Sequence, residues 1–180
     1  MAMTHAMYKN FITNIQKLIE QKMKKSKTVK ESVITMTELV LPHHTNQLGN
    51  LLGGQLMHWI DICAALSASK HSERVCVTAS VDNIEFLHPI KLGYVVTLLA
   101  SVNRAFRTSM EVGVKVFSES HLEGKRIHAN TAYLTFVAVD NNVKPIETFE
   151  IIPETEDEKR RFKEALQRRQ NRLSVRKNIE

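Results

Sequence analysis

The sequence predicts an α+β domain in which a curved antiparallel sheet wraps around one central helix, with an extra helix at each end. Three observations predict it. A single strand-like segment precedes the only long helical pattern inside the domain, everything between that helix and Asp140 reads as strand, and the helix is apolar on most of its sides. A helix with so little wet surface must be surrounded, and a sheet curling around it does that.

At 180 residues, 43% hydrophobic and 24% charged, the chain is long enough for one well-buried core. We divide it into an N-terminal helical extension over 1–30, the domain itself over 31–146, and a charged C-terminal helix over 147–180. From Tyr8 to Lys25, Phe11, Ile15, Leu18, Ile19 and Met23 recur at helical spacing between lysines, which predicts an amphipathic helix. A Lys-rich linker follows to Lys30. Residues 31–41 carry the β-branched enrichment of a strand and are closed by Pro42. Asn46 to Leu52 is a polar loop punctuated by glycine, and Gly53-Gly54 opens the central helix, which runs to about His71.

Four strands complete the sheet: Val75 to Phe86, Tyr94 to Ala105, Ser109 to Ser118 and Arg126 to Asp140. In the third of them Met110, Val112, Val114 and Val116 alternate onto one face. Asn141-Asn142 makes a turn. Glu154 to Lys177 is a charged helix, acidic in its first turn and rich in arginine afterwards. Phe162, Ala165, Leu166 and Leu173 give it a thin stripe for packing against the body or a partner subunit.

The formal net charge is +6, much of it in the two end segments. No apolar run approaches the roughly 18 residues of a membrane span, and the N-terminus lacks the apolar core of a secretory signal. A cytoplasmic protein is expected. Cys63 and Cys76 match neither a redox pair nor a zinc site and read as reduced core thiols.

The chemistry starts from Asp61, a carboxylate in the middle of the apolar helix. Such a group costs several kcal/mol of desolvation unless it is paired, hydrogen-bonded or in contact with bound water. Asp61 is therefore either a structural acceptor beside a strand or His58, or a carboxylate held in a cleft as general base or nucleophile. The glycine pair adds a second element. Unpaired NH groups at a helix start, with no side chain to keep a ligand oxygen away, are the makings of an oxyanion site.

The ordered motifs Asn46-x-x-Gly49-Asn50-x-x-Gly53-Gly54-x-x-Met57-x-x-x-Asp61, Val77-Thr78-Ala79-Ser80-Val81-Asp82 and Phe86-x-x-Pro89-x-x-x-Gly93 resemble the hotdog-fold acyl-CoA thioesterases. Residues 104–112 look like the next strand pair of the same subgroup, that of the bacterial and cytosolic animal acyl-CoA hydrolases. The resemblance covers 31 to about 146. It implies metal-independent hydrolysis of acyl-CoA to fatty acid and CoA, with no cofactor beyond the CoA of substrate and product. It further implies a homodimer with shared active sites, often assembled as a trimer of dimers. By motif position the catalytic residues are Asn46, Asp61 and Thr78, with Gly53 and Gly54 at the thioester carbonyl and Asn50 as a reserve polar group. Asn46 of one subunit would face Asp61 and Thr78 of the other. Because CoA carries several negative charges, Arg104, Arg107 and Ser109 are the candidates for its phosphates.

Other readings are weaker. A hotdog dehydratase needs a catalytic histidine paired with an acid, and none of His43, His44, His58, His71, His88, His121 and His128 occupies that motif. His43 and His44 lack a third ligand at zinc spacing. A non-catalytic module that binds acyl-CoA or a nucleotide has no need of the intact Asn46, Asp61 and Thr78. Nucleic-acid binding is disfavoured because the end helices lack interleaved aromatics and the tail mixes arginine with glutamate. The N-terminal helix reads as a subunit-packing extension or a mobile arm rather than a targeting or membrane-surface segment.

Overall fold

Alternating burial runs through the strands as the sequence pattern predicts, and it fixes which way each one faces. In the computed structural model, which describes residues 26–82, 84, 86, 88–120 and 124–177, Met110, Val112, Val114 and Val116 are all fully buried on one face of their strand. The helix expected over Tyr8 to Lys25 lies outside the described residues. The strands of the main sheet are β2 (Ile34–Leu39), β3 (Val75–Val81), β4 (Val95–Ala105), β5 (Ser109–Glu119) and β6 (Arg126–Val139). They are ordered β2-β4-β5-β6-β3, every neighbouring pair antiparallel. The inner face packs on α2 (Gly53–Ser72), which touches all five strands. Ile60, Cys63, Ala64 and Ala68 of α2 and Leu98, Leu134 and Phe136 of the sheet form the core. Each large apolar side chain buried there contributes roughly 1.5–3 kcal/mol.

Where the sequence predicts a linker, the chain instead forms β1 (Ser26–Thr28) and a single helical turn, α1 (Val29–Ser32). Glu31 accepts from the Thr28 amide at 2.7 Å and caps that turn. β1 pairs in parallel with β7 (Glu150–Ile152), so the segments on either side of the main sheet in sequence meet beside it. Strand β3 stops at Val81, short of the expected Phe86. A bulge interrupts its pairing with β6 between Thr78 and Ser80 and adds to the twist of this edge.

The sheet curls around α2, as predicted, and leaves one side of the helix open. Met57, His58, Ile62 and Leu66 are exposed on one side of the helix, and the outer edge of β3 leaves Val75, Val77 and Val81 exposed as well. The apolar character of the helix is divided between the chain's own sheet and a face left open.

The tail also differs from a solvated helix. α3 (Glu156–Lys177) lies on the outer face of the sheet through buried polar contacts. Glu111, on β5, is completely buried. Arg168 donates to it twice, from Nη2 at 2.7 Å and Nε at 3.1 Å, and Asn103 Nδ2 donates at 3.0 Å. Gly113 makes room for this arrangement, since a Cβ there would come within 2.7 Å of the Asn103 amide. Further along the helix, Arg172 Nη1 bonds both oxygens of Asp82, at 2.9 and 3.0 Å. Of the predicted apolar stripe, Ala165 is buried and Phe162 half-buried, whereas Leu166 and Leu173 stay exposed.

One buried group sets an acid limit. His71 is fully buried at the end of α2, and burial, opposed by a bond to the Phe149 carbonyl, holds its pKa below the ordinary value. Lys27 pushes in the same direction and Glu31 against it. Its Nε2 lies 2.9 Å from that carbonyl and therefore carries the proton, while Nδ1 has no partner. The unfolded chain binds a proton at His71 more readily than the folded one. Stability should therefore fall as pH drops through about 6.5 and go on falling until the folded imidazole itself titrates. Urea midpoints between pH 8 and 5 check this, and the slope over that window should shrink in His71→Gln.

Candidate active site

Asp61 and Thr78, on different elements, meet. The Thr78 hydroxyl donates to Asp61 Oδ1 at 2.8 Å, and among the described residues Oδ2 has no partner. The meeting follows from the fold. Thr78 pairs in register with the fully buried Phe136, so its side chain points to the inner face and toward α2. Asp61 sits on the side of α2 left open by the sheet, among Met57, His58 and Ile62, and is half-buried. The carboxylate is thus neither sealed in the core nor free in water, and its one hydrogen-bond partner among the described residues is a hydroxyl whose proton is already committed to it.

The helix start is also open. No side chain caps α2, and its first backbone bond runs from the Leu56 amide to the Leu52 carbonyl. The NH groups of Gly53 and Gly54 therefore lie in the uncapped first turn. A Cβ on Gly53 would meet the ring of Phe86 at 3.3 Å, whereas one on Gly54 would meet nothing within 4 Å. Packing within this chain explains the first glycine and not the second.

Asn46 stands apart from that pair. Its Oδ1 accepts from the Leu48 and Asn50 amides at 2.9 and 3.2 Å, so the side chain braces its own loop. The loop is a small hairpin closed by the Asn46 amide on the Asn50 carbonyl, turned by Gly49 at φ +71°, with Leu48 83% exposed at its tip. Asn50 serves that hairpin and bridges to Lys91. Within one chain the structure brings Asp61 and Thr78 together, and Asn46 bonds neither of them.

The phosphate candidates separate too. Arg104 is committed to α3, donating from Nη1 to the Phe162 carbonyl at 3.1 Å and stacking on the Phe162 ring at 4.0 Å. Arg107 is exposed beside a cleft lined by Phe106, Thr148 and Phe162. Ser109 faces outward into a larger cavity under α3. Sequence reasoning missed Phe86, which packs over the helix start, and the Asp82–Arg172 bond that closes β3. The signal for Phe86 was its place in a motif; Arg172 had none.

Among the described residues no histidine is hydrogen-bonded to a carboxylate: His44 accepts from the Leu41 amide, His71 meets a carbonyl and His128 meets Thr131. No group of three His, Cys, Asp or Glu among them is placed to hold a metal ion. Both cysteines are free thiols, and burial pushes Cys63 up to about 11.

Known proteins with this geometry are numerous. The model of the thioesterase superfamily matches residues 48–125, from the loop before α2 to the residue before β6. Acyl-coenzyme A thioesterase 11 of Mus musculus is 46% identical over 140 residues, 78% of this chain, although the chain spans only about a quarter of that protein. The uncharacterized acyl-CoA thioester hydrolase YkhA of Bacillus subtilis is 43% identical over 143 residues, covering 79% of this chain and 83% of the relative. Among solved structures, an acyl-CoA hydrolase from Staphylococcus aureus in complex with butyryl coenzyme A and coenzyme A superposes with a TM-score of 0.80 at 37% identity, over 86% of this chain and 94% of the other. That hydrolase has also been solved with an asparagine, an aspartate and a threonine each replaced by alanine, at positions spaced as Asn46, Asp61 and Thr78 are here. A hexameric acyl-CoA thioesterase superposes with a TM-score of 0.82 at 40% identity, over 84% and 97% of the two chains. Sharing its fold with these enzymes and more than four fifths of the length of the Bacillus relative, the chain belongs to the hotdog-fold acyl-CoA thioesterases of the thioesterase superfamily.

Proposed function

We propose that the protein hydrolyses fatty acyl-CoA to a free fatty acid and CoA, with Asp61 as general base, at a site completed by a second copy of the chain. The observation that carries this is the Thr78–Asp61 hydrogen bond. Because the threonine gives its proton to Oδ1, its oxygen is left as an acceptor. A water donating one hydrogen to Thr78 Oγ1 and the other to Asp61 Oδ2 keeps its lone pairs free for the thioester carbonyl. Asp61 takes the proton as the C–O bond forms, the NH groups of Gly53 and Gly54 at the other protomer's helix start receive the developing oxyanion, since the helix start of Asp61's own protomer is about 10 Å away along α2, and CoA leaves as a thiolate that takes up a proton. A thioester is electrophilic enough for this without a metal or cofactor.

The second copy is supported by what the first leaves open. Asp61 lies on the uncovered face of α2, Leu48 projects from the Asn46 loop, and the edge of β3 carries three exposed valines. An unpaired strand edge of this kind is a template for another chain. Pairing across it gives a dimer with a continuous sheet, with Asn46 of one protomer facing Asp61 and Thr78 of its partner. The hexameric relative supports further assembly as a trimer of dimers. No helix among the described residues is long and apolar enough to cross a membrane, and we place the reaction in the cytoplasm.

Free-thiol release from short-, medium- and long-chain acyl-CoAs tests the reading, with the sedimentation mass measured on the same sample. Turnover by an even-numbered oligomer is expected. Tight binding of acyl-CoA without thiol release from any chain length would instead mark a non-catalytic binding module.

A further inference from the structure

The pair His43-His44, which neither the zinc nor the dehydratase reading absorbs, sits between the end of β2 and the Asn46 loop, in a single 3-10 turn over Pro42–His44. His44 is half-buried and fastened to its surroundings at three points. Its imidazole Nδ1 accepts from the Leu41 amide at 3.1 Å, so the side chain closes the turn it belongs to. Its carbonyl accepts from the amide of Leu52, the residue that caps the start of α2, at 2.9 Å. Its ring meets Trp59 edge to face, with centroids 5.0 Å apart and planes at 86°. Trp59 is buried in α2, two residues before Asp61, and gives the ring a fixed wall.

Between these fastenings lies the Asn46 loop. Its hairpin is closed at the base by the pairing of Thr45 with Leu51, and Asn46 Oδ1 braces it from within. Those bonds set the shape of the loop and not its place relative to the helix. The second strand of the hairpin is tied outward, through Leu51 to Ile90 and through Gly49 to Leu92. The first strand, which carries Asn46, is tied to α2 through His44. A short polar side chain such as asparagine takes a turn amide as well as imidazole does. It has no ring to set against Trp59, and that second contact is what the imidazole adds.

We propose that His44 is a positioning residue for the acyl-CoA reaction, holding the Asn46 loop and the start of α2 together as one rigid half of the site. The other half is Asp61 and Thr78 of the partner protomer, so the inference rests on the two-protomer acyl-CoA reading above. His44 touches no reacting atom. Its loss lets Asn46 and the NH groups of Gly53 and Gly54 shift relative to the thioester, and a displacement of that kind slows chemistry more than it weakens binding.

The test is a double-mutant cycle on kcat for butyryl-CoA with wild type, His44→Ala, Asn46→Ala and the two combined. His44→Ala should lower kcat roughly tenfold, with KM within about twofold of wild type and the sedimentation mass unchanged. The same substitution should cost under about threefold when residue 46 is already alanine. His44→Asn, which keeps an acceptor at the place of Nδ1, should recover part of the loss. An equal loss in both backgrounds, a loss in KM alone, or no loss at all overturns the proposal. If Asn46→Ala turns over like wild type, the role of Asn46 itself fails and the inference falls with it. Amide hydrogen exchange decides the matter without turnover. In His44→Ala the Leu48, Asn50 and Leu52 amides, each hydrogen-bonded in this structure, should exchange roughly tenfold faster while those of β5 keep their rates. Unchanged exchange in the loop overturns the proposal.

Discussion

Asp61→Asn is expected to lower kcat for acyl-CoA hydrolysis by on the order of 10²–10⁴-fold, the usual worth of a positioned general base, while leaving the protein folded. Asparagine has the same shape, and its carbonyl oxygen still accepts from the Thr78 hydroxyl that lies 2.8 Å from Asp61. What it cannot do is take a proton from water. A purely structural Asp61 predicts the opposite: turnover near wild type together with a shifted unfolding midpoint. Thiol release and urea unfolding on the same preparations separate the two. Thr78→Val, which removes the water's second anchor and leaves the base, should cost less than Asp61→Asn. Single turnover in ¹⁸O-water should put the label in the fatty acid and none in the protein, because a general base forms no bond to the acyl group. Label found in the Asp61 carboxylate would replace the base with a nucleophile that passes through an anhydride.

The candidate site was legible in the sequence to different depths. Asp61 announces itself by chemistry alone, since a carboxylate among Ile60, Ile62 and Cys63 needs a reason to be there. Thr78 does not. A threonine in a β-branched strand is ordinary, and only its place in a family motif singled it out before the register with Phe136 turned it inward. The five main strands and the central helix were readable because alternation and helical spacing report burial directly. Burial, however, carries no label for what does the burying. Met57, Ile62 and Leu66 look the same whether they face the chain's own sheet or a second copy, so the open face of α2 stayed hidden. β1 and α1 are too short to show any period. Arg168 and Arg172 sit in a helix charged enough to read as solvated, and Glu111, in an alternating strand at an outward position, reads as a surface acid. Only the fold brings these residues together.

Glu111→Ala should be among the most destabilising single substitutions on the outer face of the sheet, costing about 3–5 kcal/mol, the usual penalty for removing one partner of a buried charge pair. Glu111 is fully buried, and its side chain takes two bonds from Arg168 and one from Asn103. Burial works against the charge on Arg168, yet the bonds and charge of Glu111 outweigh it and raise its pKa. Without the carboxylate, that guanidinium, stacked on Tyr133 at 3.7 Å, keeps only the more distant Glu164 at 3.7 Å, and the Asn103 amide is left buried without its acceptor. α3 then loses its central attachment and keeps the partly exposed Arg172–Asp82 bond, the bonds of Arg161 to Ser101 and Asn103 and of Arg104 to the Phe162 carbonyl, and the contacts of Phe162 and Ala165. Replacing both members, as in Glu111→Leu with Arg168→Met, removes the stranded charge and should recover a large part of the loss, because a buried pair often contributes little beyond its own desolvation. Urea unfolding of the two single variants and the double, at one fixed protein concentration so that assembly does not shift the midpoints, gives the coupling. If Glu111→Ala costs under about 1 kcal/mol, the pair behaves like an exposed one and the helix is held by its apolar contacts instead.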